Sequence, residues 1–323
     1  MSCYHPLLGI PNYDHLSDEG KRIFDIIPGG NYSPEFKKIY PGAVSIPCGH
    51  CIGCRLDYSR SWADRMMLEL DHHKGKAIFV TLTYDNEHVP ITYDDYGEVG
   101  YFSLWKPDLQ KFFKRLRKAF PDKEIRYYAA GEYGSTTFRP HYHAIIFGLS
   151  LEDFPDLRQR GLNDLKQAHY ESMVFQRIWN QGFCLLAAVS WQTCAYVSRY
   201  VQKKVFAAEL PIQDLYDCEP EFSLMSRRPG IGAPYMADHP DMFDQSNIYV
   251  RGHDKPISIP KYFLTKLELT DPELADKIKK QRADFVRDKE LLKMQQTELS
   301  FIEQLEVEEN NKLLRTQALR RFL

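Results

Sequence analysis

No run of about 18 apolar residues occurs in this 323-residue chain, so a membrane-spanning helix is not expected. The opening Met1-Ser2-Cys3-Tyr4-His5-Pro6 has neither the charged nor the apolar region of a secretory signal. A soluble, cytoplasmic protein without a membrane partner is the expectation. An excess of positive charge is also missing, since 42 Lys and Arg face 44 Asp and Glu for a net charge of −2. The whole-molecule field therefore offers phosphate little attraction, and any nucleic-acid binding must depend on local basic surface and on stacking. A pairable set of cysteines is lacking too. There are seven, an odd number, and three crowd into Cys48-Gly49-His50-Cys51-Ile52-Gly53-Cys54, which argues against a disulfide framework and for reduced thiols.

What is present reads as a globular chain. Hydrophobic residues make up 43% and aromatics 13%, so one main domain with appendages is expected. Residues 1–45, rich in Pro, Gly, Tyr and Asp, read as an irregular extension. Strand and helix patterns alternate through 46–210, residues 211–265 are loop-rich, and 266–323 form a charged helical tail with a Thr270-Asp271-Pro272-Glu273 start. Paired antiparallel strands among helices predict an α+β fold, a central antiparallel sheet with helices packed on one side, plus a C-terminal helical arm.

The chemistry centres on Arg139-Pro140-His141-Tyr142-His143-Ala144-Ile145-Ile146-Phe147-Gly148. On a strand, residues two apart share a face, so His141 and His143 project together while Tyr142, Ala144 and Ile146 turn to a buried side. Ile125 to Glu132 reads as the preceding strand, and the segment from Gly134 to Pro140 supplies the turn of a hairpin. That hairpin brings Glu132 beside the two imidazoles, a set suited to a divalent cation such as Mg²⁺ or Mn²⁺. Taken alone, His-x-His on a strand also fits a chance surface pair.

The thiols of Cys48, Cys51 and Cys54 can meet one structural zinc, with His50, Cys3 or His5 as fourth ligand; an iron–sulfur cluster or three free thiols are the alternatives. From Lys106 to Phe120 a helix is predicted whose Leu109, Phe112, Phe113 and Leu116 pack. Its Lys111, Lys114, Arg115, Arg117 and Lys118 either meet phosphate or are merely solvated. Ser190 can cap another helix running through Val205, on which Tyr196 and Tyr200 stand four apart and Lys203 and Lys204 continue the same side. These tyrosines lie off the apolar stripe of Cys194, Val197, Val201 and Val205. Tyrosine is nevertheless ordinary in helices, and a basic helix end complements the macrodipole. Arg227 and Arg228 sit in the basic turn Met225-Ser226-Arg227-Arg228-Pro229-Gly230-Ile231-Gly232, where bare backbone amides can approach phosphate.

Phe79-Val80-Thr81-Leu82-Thr83-Tyr84, Pro140-His141-Tyr142-His143 and Tyr196-x3-Tyr200 resemble, in order, the first, metal and nucleophile motifs of the HUH family of single-stranded DNA endonucleases. The cysteine cluster and the Met225–Gly232 turn are similar, more narrowly, to the replication initiators of gokushoviruses, small icosahedral phages with single-stranded DNA. The resemblance covers about residues 45 to 265. It implies a sheet of about five antiparallel strands and rolling-circle initiation on the phage origin, as single-stranded or replicative-form DNA, in the cytoplasm of a bacterial host, with the host helicase and polymerase as partners. A phenol is a poor nucleophile at neutral pH, so Tyr196 and Tyr200 would need a metal-polarised phosphate, with Lys203 or Lys204 favouring the phenolate. Two rivals compete: a non-catalytic, zinc-containing module that binds single-stranded nucleic acid, and a small-molecule hydrolase or oxygenase using only Glu132, His141 and His143.

Overall fold

The β-branched and aromatic run Ala77–Tyr84 is the middle strand of a seven-stranded antiparallel sheet. The computed structural model describes residues 3–16, 22–31, 40, 42–93, 96–134, 137–162, 167–200, 218–245 and 247–319. Contact clustering divides the chain into two units, Met1–Tyr58 with Thr265–Leu323, and Ser59–Leu264.

In chain order, β1 (Leu7–Leu16), β2 (Arg22–Asn31) and β3 (Val44–Ile46) precede α1 (Ile52–His72), inside which the boundary between the units falls. There follow β4 (Ala77–Tyr84), the small hairpin β5 (Ile91–Tyr93) and β6 (Gly100–Phe102), α2 (Lys106–Ala119), β7 (Arg126–Tyr133) and β8 (Pro140–Phe147). Next come β9 (Arg158–Leu162), β10 (Ala168–Glu171), α3 (Met173–Trp179), β11 (Gly182–Ala188), α4 (Trp191–Tyr200) and β12 (Phe222–Met225). The chain then passes through α5 (Ala233–Asp238), the short pair β13 (Asn247–Ile248) and β14 (Ile257–Ser258), α6 (Lys261–Leu267), α7 (Pro272–Gln295) and α8 (Phe301–Leu319). None of these helices is long and apolar enough to cross a membrane.

In the first unit β2, β1 and β3 form a three-stranded antiparallel sheet, in a region expected to be irregular. The breakers are absorbed by shifts in register after Leu7 and Pro11, and β3 pairs only with Leu7, Leu8 and Gly9, so Pro11 lies where β1 has one partner strand. The helical arm begins as its sequence implies: Asp271 accepts the Leu274 N–H at 2.9 Å and Pro272 fills the first turn. Of its apolar positions Ile278 is buried, whereas Phe285, Leu291 and Leu292 are exposed.

The second unit holds the large sheet, in the order β12-β7-β8-β4-β11-β10-β9. It has seven strands where about five were expected, because β9, β10 and β12 are edge elements without apolar alternation; every residue of β9 is exposed. One face carries the core. Tyr142, Ala144 and Ile146 pack there with Val80, Leu82 and Leu186 under Phe112, Phe113 and Leu116 of α2 and Phe175 and Trp179 of α3. Arg115 fastens the two helices, donating to the carbonyls of Ile178 and Trp179 at 2.7 Å each. Buried hydroxyls are satisfied: Tyr142 and Tyr84 lie 2.8 Å apart, and Tyr142 accepts the Trp105 N–H at 3.0 Å.

The opposite face, that of the two histidines, is overlaid by α1 and α4. Trp62 of α1 meets Tyr128 of β7 with ring centroids 5.0 Å apart. Ser59 donates its hydroxyl to Ala195 O at 2.9 Å, Ser198 returns one to Ser59 O at 3.0 Å, and Cys194 Sγ lies 3.9 Å from Met67 Sδ. Asp64 accepts from Trp191 Nε1 at 2.8 Å and pairs with His253 Nε2 at 2.7 Å. Together these contacts hold α4 in place over the sheet.

Glu69, fully buried on α1, ion-pairs with Arg126 of β7 and accepts the Gly232 N–H at 2.6 Å. Arg126 donates in turn to Pro229 O and Gly230 O, and Arg65 to Ile231 O. The Gly232 amide, expected to be open to phosphate, is thus already taken by Glu69. Gly232 has φ +83°, and a Cβ at Gly230 would come within 2.5 Å of the Tyr262 hydroxyl. Breaking one side of a buried ion pair costs about 3–5 kcal/mol, so Glu69→Ala should lower the denaturation midpoint sharply. Burial opposes ionisation of Glu69, but His73, Arg126 and the Gly232 amide outweigh it and hold the carboxyl below its ordinary 4.5. A depressed folded pKa gives stability that is complete above the unfolded value and lost as pH falls through the folded one. The wild type should therefore lose this contribution below about pH 4.5 and Glu69→Ala should not, which chemical denaturation across pH 3–7 would measure.

Candidate active site

β7 and β8 pair with Glu132 opposite His141, and β4 pairs with β8 so that Thr81 lies opposite His143. Directly paired residues share a face, so the carboxylate, both imidazoles and the threonine project from the same side. Glu132 Oε1 is 2.6 Å from His141 Nε2 and 2.9 Å from His143 Nε2. His141 donates Nδ1–H to Arg139 O at 3.1 Å, and Thr81 Oγ1 lies 3.0 Å from His143 Nδ1. Partners at Nδ1 leave the Nε2 lone pairs directed at the carboxylate, the arrangement by which histidines present themselves to a metal.

The electrostatics agree with that reading. Burial opposes the charge on Glu132, but the two histidines overcome it and keep the carboxyl below its usual range. For His141 burial favours the neutral ring and the Glu132 contact overrides it, raising the pKa. Glu132 Oε2 is buried and meets no hydrogen-bond partner among the described residues. An orphaned carboxylate oxygen is costly. With one ligand atom from each residue inside 4.8 Å of the others, Glu132, His141 and His143 can hold a divalent cation.

α4 brings Tyr196 to the same place. Its hydroxyl lies 3.5 Å from His143 Nε2, and the two rings meet edge-on with centroids 5.1 Å apart. Phe79 of β4 wedges the site, stacked on His143 at 5.7 Å and edge-on to Tyr196 at 6.2 Å. Phe79 and Thr81 are the supporting residues that motif reading did not assign. Their signal was the two-residue period on β4, which puts both on the histidine face. Tyr200 ends α4, and its side chain, like Lys203 and Lys204, lies outside the described residues. Of the basic residues on α2, Arg115 and Arg117 donate to backbone carbonyls, Lys111 is 3.9 Å from Asp108, and Lys114 and Lys118 are exposed. Arg227 and Arg228 are exposed in their turn, apart from the Glu132 cluster.

In the first unit the cysteines converge as well. Cys3, Cys48, Cys51 and Cys54 place their sulfurs within 4.8 Å of one another, and none is in a disulfide. Of the three candidates for a fourth ligand, Cys3 is the one in the cluster; His5 instead contacts Glu309 at 2.6 Å. Backbone amides point at the sulfurs: His50 and Cys51 N–H at Cys48, Cys54 and Tyr4 N–H at Cys51, and Cys48 N–H at Cys3, all at 3.3–3.4 Å. Burial raises Cys3 to about 11, while at Cys48 the amide donors overcome burial and lower the thiol. Four sulfurs in an amide cage suit a tetrahedral structural cation.

An antiparallel α+β sheet with an acid–His–His cluster on one face and a tyrosine helix laid across it defines the class. Residues 77–205, which include Glu132, His141, His143, Tyr196 and Tyr200, match the model of the Replication-associated protein ORF2 family. The chain is 31% identical to Replication-associated protein ORF2 of Spiroplasma virus 4 over 83% of its own length and 81% of that protein's. It is also 28% identical to Replication-associated protein VP4 of Bdellovibrio phage phiMH2K, over 72% of this chain and 70% of the relative. No solved structure matches it. The chain belongs to this family of phage replication-associated proteins.

Proposed function

We propose that the chain starts phage DNA replication by nicking one strand at the origin and later joining it, with Tyr196 and Tyr200 as alternating nucleophiles. The observation that carries this reading is Tyr196 OH at 3.5 Å from His143 Nε2, on the face that bears Glu132 and His141. A divalent cation held by Glu132, His141 and His143 would neutralise charge on the scissile phosphate and polarise phosphorus toward attack.

The protein's own groups do the rest. Tyr196 loses its proton to solvent and its oxygen bonds to phosphorus as the bond from phosphorus to the 3′ oxygen breaks. The departing oxygen takes up a proton, leaving a free 3′-hydroxyl that primes a polymerase and a 5′-phosphotyrosyl protein. Phe79 and His143 hold the Tyr196 ring between them, so the phenol is prepositioned and little entropy is lost on attack. The Ser59–Ser198 and Asp64–Trp191 contacts fix the helix that carries it. Tyr200, one helical turn further, supplies the second attack after a circuit, and Lys203 and Lys204 favour the phenolate. Lys111, Lys114, Arg115, Arg117, Lys118, Arg227 and Arg228 are the proposed contacts to DNA, and the host helicase and polymerase the proposed partners. A non-catalytic binding module would leave the placement of Tyr196 without a role.

Incubation with a single-stranded origin oligonucleotide and Mn²⁺ should give a protein–DNA adduct on a denaturing gel, and release of a 3′-hydroxyl fragment. Binding without any adduct would select the non-catalytic alternative.

The four cysteines are assigned structural zinc. Elemental analysis of purified protein should find about one zinc per chain, and Cys51→Ser with Cys54→Ser should lose it and lower the melting temperature. A zinc-free protein in which that double variant melts normally would make the cluster four free thiols.

A further inference from the structure

The sequence puts the burden of DNA binding on local positive surface, since the net charge is −2. The largest such concentration outside the Glu132 cluster is a cavity of about 370 Å³ beside the edge strand β12, lined among others by Arg117, Arg126, Tyr127, Arg227 and Arg228, with Glu124 as its one acid. Two of the arginines come from the turn after β12, one from the end of α2 and one from β7, so residues distant in sequence build one basic wall.

Their roles differ. Arg126 is buried, its charge met by Glu69 and its Nη2 given to Pro229 O and Gly230 O, so it forms the floor and anchors the turn. Arg117 gives Nε and Nη2 to Ile125 O and lies 5.6 Å over the Tyr127 ring, which is itself stacked on Phe113 at 3.5 Å. These contacts make a rigid wall. Arg227 and Arg228 are exposed, and among the described residues no carboxylate pairs with either of them or with Arg117. Burial raises the Tyr127 phenol, and the charges of Arg117 and Arg227 both act against that rise, as expected if both guanidinium groups face the same space. Three guanidinium groups without acid partners, converging on a concave site with one exposed carboxylate, are an anion-binding arrangement.

We infer that this pocket binds a phosphate group, and specifically a phosphodiester of the single-stranded DNA outside the nick, a reading that rests on the proposed function. Arg126 and Glu132 stand at opposite ends of β7, six residues apart, which corresponds to about 20 Å along the strand. A strand lying from the metal site to the pocket would cover roughly six stacked nucleotides at 3.4 Å each. The pocket thus acts as a second grip that sets the path of the DNA across the sheet, and Arg227, Arg228 and Arg117 are positioning residues rather than catalytic ones.

The test compares full-length wild type, Arg227→Gln/Arg228→Gln, Arg117→Gln and a charge-matched control, Arg158→Gln/Arg177→Gln, altered at arginines elsewhere. Fluorescence anisotropy without divalent metal reads affinity for origin oligonucleotides whose arms extend stepwise to either side of the nick. Wild type should gain affinity once one arm passes about six nucleotides, and the Arg227/Arg228 double variant should lose that gain, about tenfold or more. Its slope of log K against log salt should fall by about 0.7 for each lost contact, and Arg117→Gln should shift the same way by a smaller amount. Unchanged binding by the double variant, or an equal loss in the control, overturns the inference. So does one-to-one binding of dATP that the double variant loses while oligonucleotide affinity is kept, because the pocket would then be a free-nucleotide site. Wild type that shows the length-dependent grip but forms no adduct with Mn²⁺ would sink the nicking reading and leave this one standing.

Discussion

Protein carrying Tyr196→Phe and Tyr200→Phe together should form no covalent adduct with origin DNA, a loss of at least about a thousandfold against wild type. Phenylalanine removes one oxygen and keeps the ring, so the edge contacts of residue 196 with Phe79 and His143 persist and the fold should survive. The single variants separate the two roles. Tyr196 lies against His143, so Tyr196→Phe should slow the first nick more than Tyr200→Phe does, though Tyr200 can still attack. Four residues on a helix correspond to about 6 Å along its axis, within reach of one bound phosphate. Complete replication needs two successive transfers, so either single variant should nick yet fail to release closed circles, stalling with DNA on the remaining tyrosine. Denaturing gels of each reaction measure all four outcomes, and an adduct in the double variant would place the nucleophile elsewhere.

The second large effect belongs to the metal cluster. His141→Ala and His143→Ala should each lower nicking more than about a hundredfold, since even the partners behind a metal ligand are worth about 10–100-fold. EDTA should abolish wild-type activity and added Mn²⁺ restore it at least as well as Mg²⁺, because two imidazoles favour the softer ion. Glu132→Ala should weaken activity and change the metal requirement. Calorimetric titration with Mn²⁺ gives a readout apart from catalysis: wild type should bind about one ion at this site, and each variant should bind it more weakly. Nicking that persists in EDTA would remove Glu132, His141 and His143 from the mechanism.

Parts of this were readable from residue order because local rules and tertiary contacts agree there. The two-residue alternation of Pro140–Phe147 sets its faces, and the turn chemistry from Gly134 to Pro140 sets the register that brings Glu132 opposite His141. The α+β class follows from the same alternation of strands and helices. Edge strands were harder. Arg158–Leu162 is exposed throughout and offers no periodic signal, so the sheet reads as shorter than its seven strands. Near the N-terminus Pro11, Gly29 and Gly30 look like breakers, yet a ladder with register shifts accommodates them. The role of Gly232 was hidden because its partner Glu69 is 163 residues away and buried under α1. Cys3 joins Cys48, Cys51 and Cys54 across a gap of 45 residues, which no spacing rule spans, so the choice among Cys3, His5 and His50 waited on the structure. Phe79 and Thr81 support the histidines only through strand pairing, and their sequence looks like any central strand.

The most direct test of the central claim is to identify the residue that becomes joined to DNA. Wild-type protein would be incubated with a single-stranded origin oligonucleotide and Mn²⁺, digested with protease and nuclease, and the nucleotide-bearing peptide sequenced by mass spectrometry. The account predicts a 5′-phosphate ester on the α4 peptide, at Tyr196 or Tyr200. A modified serine, a tyrosine outside α4, or DNA cut with no peptide attached would contradict it.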